Sequence, residues 1–235
     1  MAAFLEDLTR FYGTGEKNEQ GQTLEQFLDE YDVRKYVTPS CTTDTVIFSY
    51  DDQLDVSMKG IKILLVQRSN HPSIGYWALP GGFADMKENL IDTAKREVEE
   101  ETGVKGLRLE QIAAYGNYDR DPRTRVITTA YMALVQEKDV VVSAGDDAKD
   151  ACWCNISFKQ TDYKCENEVI KNVYELTVNN ESRNLATTAV VEETLTKGLI
   201  KEQEFTVIDS GVIACDHAAI IVHALKLLKT RLEKV

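Results

Sequence analysis

The stretch from Gly82 to Val104 constrains this chain more than any other. It reads Gly-Phe-Ala-Asp-Met-Lys-Glu-Asn-Leu-Ile-Asp-Thr-Ala-Lys-Arg-Glu-Val-Glu-Glu-Glu-Thr-Gly-Val and has two halves with different physics. Gly82 to about Glu88 is a glycine-led loop preceded by Leu79-Pro80-Gly81, a place where backbone approaches closely. From about Asn89 the residues are good helix formers, and Gly103 supplies a stop. With Glu97 as origin, Ala94 falls at about 60° and Val98 at about 100°, giving an apolar stripe. Glu100 at about 300° and Glu101 at about 40° border that stripe with Glu97, while Glu99 points away near 200°. A Glu-rich helix taken alone reads as a solvated face. Here three like charges share one turn and weaken the helix unless a cation neutralises them. An all-oxygen set of carboxylates suits Mg²⁺ or Mn²⁺.

The spacing adds what the charges alone do not. Gly82, five residues, Glu88, seven residues, Arg96-Glu97-Val98, one residue, Glu100-Glu101, one residue, Gly103-Val104 follows the Nudix box at each defined position. The chain therefore resembles the Nudix hydrolases, which cleave nucleoside diphosphates linked to another moiety. The resemblance implies an α/β fold, a Nudix-type α/β/α sandwich around a mixed sheet.

Composition narrows the class. The chain has 235 residues, 43% of them hydrophobic and 28% charged, which suits one large soluble domain with an embellishment. A net charge of −12 argues against a nucleic-acid-binding face, which needs a basic stripe. It leaves small phosphate ligands open, since a bound metal supplies local positive charge. Five cysteines (Cys41, Cys152, Cys154, Cys165, Cys215) form no zinc spacing and read as buried free thiols. With no signal peptide or long apolar run, the expectation is a cytoplasmic protein without membrane contact.

Along the chain, residues 2 to 12 have helical apolar spacing, and Thr23 with Gln26 forms a capping box for a second helix through Tyr31. Residues 1–40 are read as a helical extension and 41–235 as the hydrolase domain. Thr45–Tyr50, Ile61–Val66, Leu107–Tyr115, Val126–Val135 and Asp150–Ile156 read as strands. About 157–210 is an insertion before the last helix. Val169–Val178, Leu185–Val191 and Phe205–Ile208 read as strands there, with Asn179-Asn180 as a turn, and Glu192–Leu199 reads equally as a helix. Asp216 caps a final helix with an Ile220, Ile221, Ala224, Leu225, Leu228 face and a basic C-terminal end.

Pyrophosphate hydrolysis needs charge neutralisation, an in-line water and a proton acceptor. By geometry and by resemblance the metal ligands are Glu97, Glu100 and Glu101, with the Gly82 backbone approaching the ligand or metal. Arg96, four residues before Glu100, orients that carboxylate, and Glu88 supports the loop. The turn Asp119-Arg-Asp-Pro-Arg-Thr-Arg125 resembles one in a subgroup holding ADP-ribose pyrophosphatases and Nudix-related regulators of NAD metabolism. Arg120 or Arg123 would hold a phosphate bidentately there. Arg68, Gly81 and Phe83 complete the expected pocket. For the general base, a box glutamate, Asp146 or Asp147, and His217 all stand open.

The expected function is Mg²⁺-dependent cleavage of ADP-ribose to AMP and ribose 5-phosphate by a homodimer whose partner is a small nucleotide, not nucleic acid. Two alternatives stand beside it. One is a ligand-sensing regulator built on a Nudix domain, for which the chain shows no basic DNA-binding appendix. The other is hydrolysis of free or oxidised nucleoside triphosphates.

Overall fold

The computed structural model describes residues 3–145 and 148–234. It divides into a unit of residues 1–38 and a unit of residues 39–235. In the first, the expected helix over residues 2–12 shrinks to one 3-10 turn, Thr9–Phe11. That correction has a local cause: Gly13 and Gly15 both take positive φ just beyond, and no residue of the turn is buried to reward a longer helix. The second expected helix is present as α1 (Leu24–Glu30), started by Thr23 and Gln26 in a reciprocal capping box. Tyr12 Oη donates to Glu25 at 2.6 Å, tying the turn to α1.

The larger unit is one mixed ten-stranded sheet with a helix on each face. Its strands are β1 (Ser40–Tyr50), β2 (Lys62–Arg68), β3 (Trp77–Ala78), β4 (Gly81–Phe83), β5 (Glu110–Tyr115) and β6 (Val126–Gln136). They continue as β7 (Ala148–Glu166), β8 (Val169–Asn180), β9 (Leu185–Thr196) and β10 (Gln203–Asp209). The order is β10-β9-β8-β7-β2-β1-β6-β5, with β3 on β2 and β4 on β1. The β1–β6 pair is parallel, and the other named strand pairs are antiparallel.

Helix α2 (Leu90–Thr102) covers one face through Val98, packed with Ile47, Leu64 and Val104, and Ala94 is buried as well. Helix α3 (His217–Leu232) covers the other, and the expected face of Ile220, Ile221, Ala224, Leu225 and Leu228 is buried. Alternation along β1 serves both layers, with Val46 and Phe48 toward α3 and Ile47 toward α2. These are the two helical layers and mixed sheet that the Nudix resemblance implied.

Two readings need correction. The stretch Glu192–Leu199, read equally as helix or strand, is strand to Thr196, because β9 pairs with β8 along its whole length and with β10. Asn179-Asn180 ends β8 rather than forming the turn; a 3-10 turn at Glu181–Arg183 follows, with Asn184 in the left-handed region. The 157–210 stretch thus extends the core sheet. Lys226 of α3 pins it, with Nζ bonded to both oxygens of Glu193, a β9 carboxylate fully removed from solvent. At the sheet's far ends, Asn117 Nδ2 after β5 donates to Glu204 of β10 at 3.4 Å, so the sheet curls around α3.

Cysteine burial is mixed. Cys152 and Cys154 share a face of β7 with sulfurs 3.7 Å apart and are buried, but Cys41 and Cys165 are exposed. All five are free thiols.

Candidate active site

Helix α2 begins at the N-cap Asn89 and ends at Gly103, whose φ of 73° lets its N–H bond Glu99 O at 2.9 Å. Burying Ala94 and Val98 against the sheet turns Glu97 and Glu101 toward β4, while Glu100 stays exposed. Strand β4 lies on β1 with Gly82 opposite Thr43 and Gly81 opposite Asp44. A Cβ on Gly82 would overlap the Glu97 carboxylate, so a side chain there requires Glu97 to move. The Gly81 N–H donates to Glu101 Oε2 at 3.0 Å.

Arg96 is the hub of the loop–helix unit. Its Nε and Nη2 bond Glu88 at 3.0 and 2.9 Å, and its Nη1 bonds Glu97 at 2.6 Å and Glu100 at 3.0 Å. Nη2 also donates to the Phe83 carbonyl at 3.0 Å, fastening β4 to the helix. The expected Arg96–Glu100 pair is one of five bonds. Glu88 takes a bond from Thr93 Oγ1 at 2.7 Å as well, and its Arg96 and Thr93 bonds hold its carboxyl down at about 2.

Glu97 and Glu101 are shifted the other way. Burial raises Glu97, opposed by Arg96. Burial pushes Glu101 up to about 8; the Gly81 N–H opposes this, and the charges of Glu97 and Asp44 add to it. A hard divalent cation fits this site on two observations of the structure: the donors are all oxygen, and burial disfavours the ionised form of Glu101, a cost that a bound cation would offset. Among the described residues no three acidic, His or Cys side chains converge as a ready ligand cage. Arg96 draws Glu97 and Glu100 together.

Beside this unit opens a cleft of about 410 Å³ lined by Asp44, Arg68, Gly81, Gly82, Phe83, Glu101, Arg120, Arg123 and His217. Every pocket residue expected from the sequence lines it, whereas Glu97 and Glu100 lie on the helix behind. The arginines differ. Arg120 is buried and held by Asp216 through two bonds of 2.8 Å. Arg123 is half exposed, paired with Asp121 at 2.7 Å, and its guanidinium lies 5.2 Å above the Phe83 ring. Arg68 Nε is bonded to Pro72 O at 2.7 Å. Arg120 and Arg123 are thus each held by a neighbouring carboxylate, Arg123 through bonds of 3.0 and 2.7 Å to Asp121, and they differ in exposure.

Asp216 was expected to cap α3, but its side chain makes no cap bond because Arg120 claims it. His217 Nδ1 accepts from the Leu79 N–H at 2.8 Å, so the other ring nitrogen, 3.6 Å from Asp44, carries the proton. Neutral His217 has no free acceptor and is a poor base. Asp146 and Asp147 lie outside the described residues. Asp44 was missed: a lone Asp in an apolar run carries no spacing signal, and only strand pairing places it opposite Gly81.

Residues 45–171, more than half the chain, match the NUDIX domain family. Residues here are 44% identical over 114 positions to the ADPR responsive transcriptional repressor NtrR of Acinetobacter baylyi, covering 48% of this chain and 43% of that protein. They are 36% identical over 118 positions to the ADP-ribose pyrophosphatase of Methanocaldococcus jannaschii, covering 50% and 63%. The matches thus span less than two thirds of either curated relative. A crystal structure of a MutT/nudix family protein from Enterococcus faecalis superposes with a TM-score of 0.62 at 31% identity, covering 89% of this chain and 71% of that one. By its box, its fold and these matches, the chain belongs to the Nudix family.

Proposed function

We propose that this chain is a metal-dependent pyrophosphohydrolase that cleaves a nucleoside diphosphate linked to a second moiety, with ADP-ribose as first substrate and AMP and ribose 5-phosphate as products. The observation that carries this is the juxtaposition of Glu97, Glu101 and the Arg96 hub with a cleft bearing Arg68 and Arg123. A relative named as an ADP-ribose pyrophosphatase supports the substrate. Glu97, Glu100, Glu101 and the Gly82 backbone would hold Mg²⁺ or Mn²⁺. Bound there, the cation would offset diphosphate charge and, as a Lewis acid, polarise the scissile phosphoryl group.

The chain's own groups do the rest. Arg123 and Arg68 hold phosphate oxygens, Phe83 with Arg123 over it gives a flat platform at the cleft mouth for a base, and Arg96 fixes the carboxylates. Glu101, oriented by the Gly81 N–H, would take the water proton. A cytoplasmic homodimer, with residues 1–40 as an extension, completes the proposal. No helix among the described residues is long and apolar enough to cross a membrane.

The test is phosphate release, after phosphatase coupling, with Mg²⁺ or Mn²⁺ over ADP-ribose, NADH, diadenosine polyphosphates, nucleotide sugars and 8-oxo-dGTP. ADP-ribose should be cleaved best. A second reading, a regulator that senses ADP-ribose, draws on the repressor relative. Absence of turnover together with specific DNA binding would establish it instead.

A further inference from the structure

Asp44 is a buried carboxylate whose surroundings the hydrolase reading leaves unaccounted for. It is 7% exposed and lines the same cleft as Arg68 and Arg123. Its neighbours stand off: Arg120 Nη2 is 3.5 Å from Oδ2, at the limit of a hydrogen bond, and His217 Nε2 is 3.6 Å from Oδ1. Neither is free to close in, because Asp216 holds Arg120 by two bonds and the Leu79 N–H holds the His217 ring. An ionised carboxylate offers about four acceptor sites. Burying one whose protein partners stand only at 3.5 and 3.6 Å is costly unless further donors approach it. The fold thus fixes an acceptor with spare capacity in the cleft wall.

The chemistry that matches it is a hydroxyl donor. Phosphate oxygens only accept at neutral pH, and the Asp44 charge repels them. The guanidinium groups of Arg68 and Arg123 serve phosphate instead. With a base at Phe83 and the diphosphate beside Glu101, a sugar beyond the diphosphate would lie against the same cleft wall that Asp44 lines. We propose that Asp44 accepts hydrogen bonds from the hydroxyl pair of that sugar, with His217 and Arg120 as positioning residues. The cleft thereby favours diphosphates ending in a sugar over those ending in phosphate. This rests on the hydrolase reading of the cleft.

The experiment is calorimetric binding in EDTA, where turnover is absent, with ADP-ribose, ADP, and ADP linked to 2,3-dideoxyribose. Wild type should bind ADP-ribose about tenfold more tightly than either of the others, a difference of about 1.4 kcal/mol. Asp44→Ala and Asp44→Asn should bring the ADP-ribose/ADP ratio toward one while ADP affinity holds or rises. His217→Gln should lower the ratio with ADP affinity kept, and add nothing on top of Asp44→Ala. Equal wild-type affinity for ADP-ribose and ADP, or an unchanged ratio in both Asp44 variants, overturns the proposal. So does loss of Mn²⁺ binding in Asp44→Ala with the sugar preference intact, which would assign Asp44 to the cation. If neither variant folds, the dideoxyribose probe decides on wild type, and full affinity for it overturns the proposal. The turnover screen is separate: ADP-ribose cleavage with no sugar preference defeats this inference and leaves the hydrolase reading standing.

Discussion

Replacing Arg96 by Lys keeps the charge and removes the fork, so it isolates what the guanidinium geometry does. Arg96 makes five hydrogen bonds: two to Glu88, one each to Glu97 and Glu100, and one to the Phe83 carbonyl. A single ammonium on a flexible stem reaches one or two of these partners, so about three bonds are lost. Charge-assisted bonds contribute about 1.5–3 kcal/mol each when shielded. The Arg96 side chain is 29% exposed, and screening reduces each bond to about 1 kcal/mol. The expected loss is about 2–4 kcal/mol, or roughly 4–16 °C in Tm for a chain of this size. Because Glu97 and Glu100 lose their shared tether, Mn²⁺ affinity should fall about 10–100-fold, as when groups that orient metal ligands are removed. Electron paramagnetic resonance of free Mn²⁺ gives the affinity, and thermal unfolding in EDTA gives the stability. Saturating Mn²⁺ should restore much of kcat/KM but not the Tm measured in EDTA. An Arg96→Lys protein with Mn²⁺ affinity within about threefold of wild type would refute this account of the hub.

Glu101→Gln should cut turnover at least about 10²-fold, the scale of losing a positioned acid–base group, while the protein still unfolds cooperatively; unchanged turnover defeats the site assignment. Gly82→Ala puts a methyl into the space of the Glu97 carboxylate, so Mn²⁺ affinity should drop with little change in secondary structure by circular dichroism. Lys226→Met strips Glu193 of its cation and should cost about 3–5 kcal/mol at pH 7, read by urea unfolding. In wild type, burial raises the Glu193 pKa, but Lys226, Gln203 and Asn172 outweigh it and hold it below normal. Wild type therefore keeps that contribution above the unfolded carboxylate range and loses it as pH falls through the lower folded value. In Lys226→Met burial is no longer opposed by a charge, so the deficit should shrink from pH 7 toward pH 5. A deficit independent of pH counts against a buried ionised Glu193.

The box was legible because its chemistry is local. Helix formers, a glycine stop and carboxylates three and four residues apart act within one turn of backbone, so spacing alone predicts α2 and the grouping of Glu97 and Glu101. The α1 capping box and the apolar face of α3 are of the same kind. The extension failed at residues 2–12, where apolar spacing found no partner to bury it. The 157–210 stretch was ambiguous for a related reason: a strand in the middle of a sheet is stabilised by neighbours far along the chain, and β9 is strand because β8 and β10 flank it.

What the sequence determined by itself is the family, the two helical layers and the acidic helix with its glycine loop. Tertiary structure decided which groups meet the cleft and in what state. Strand pairing set Asp44 opposite Gly81, and docking of α3 gave Asp216 to Arg120 and His217 to the Leu79 N–H. Burial raised Glu101 where Arg96 held Glu88 down. The physical reason is range: propensity and spacing act over a few residues, whereas burial and charge pairing are set by segments that sequence leaves far apart.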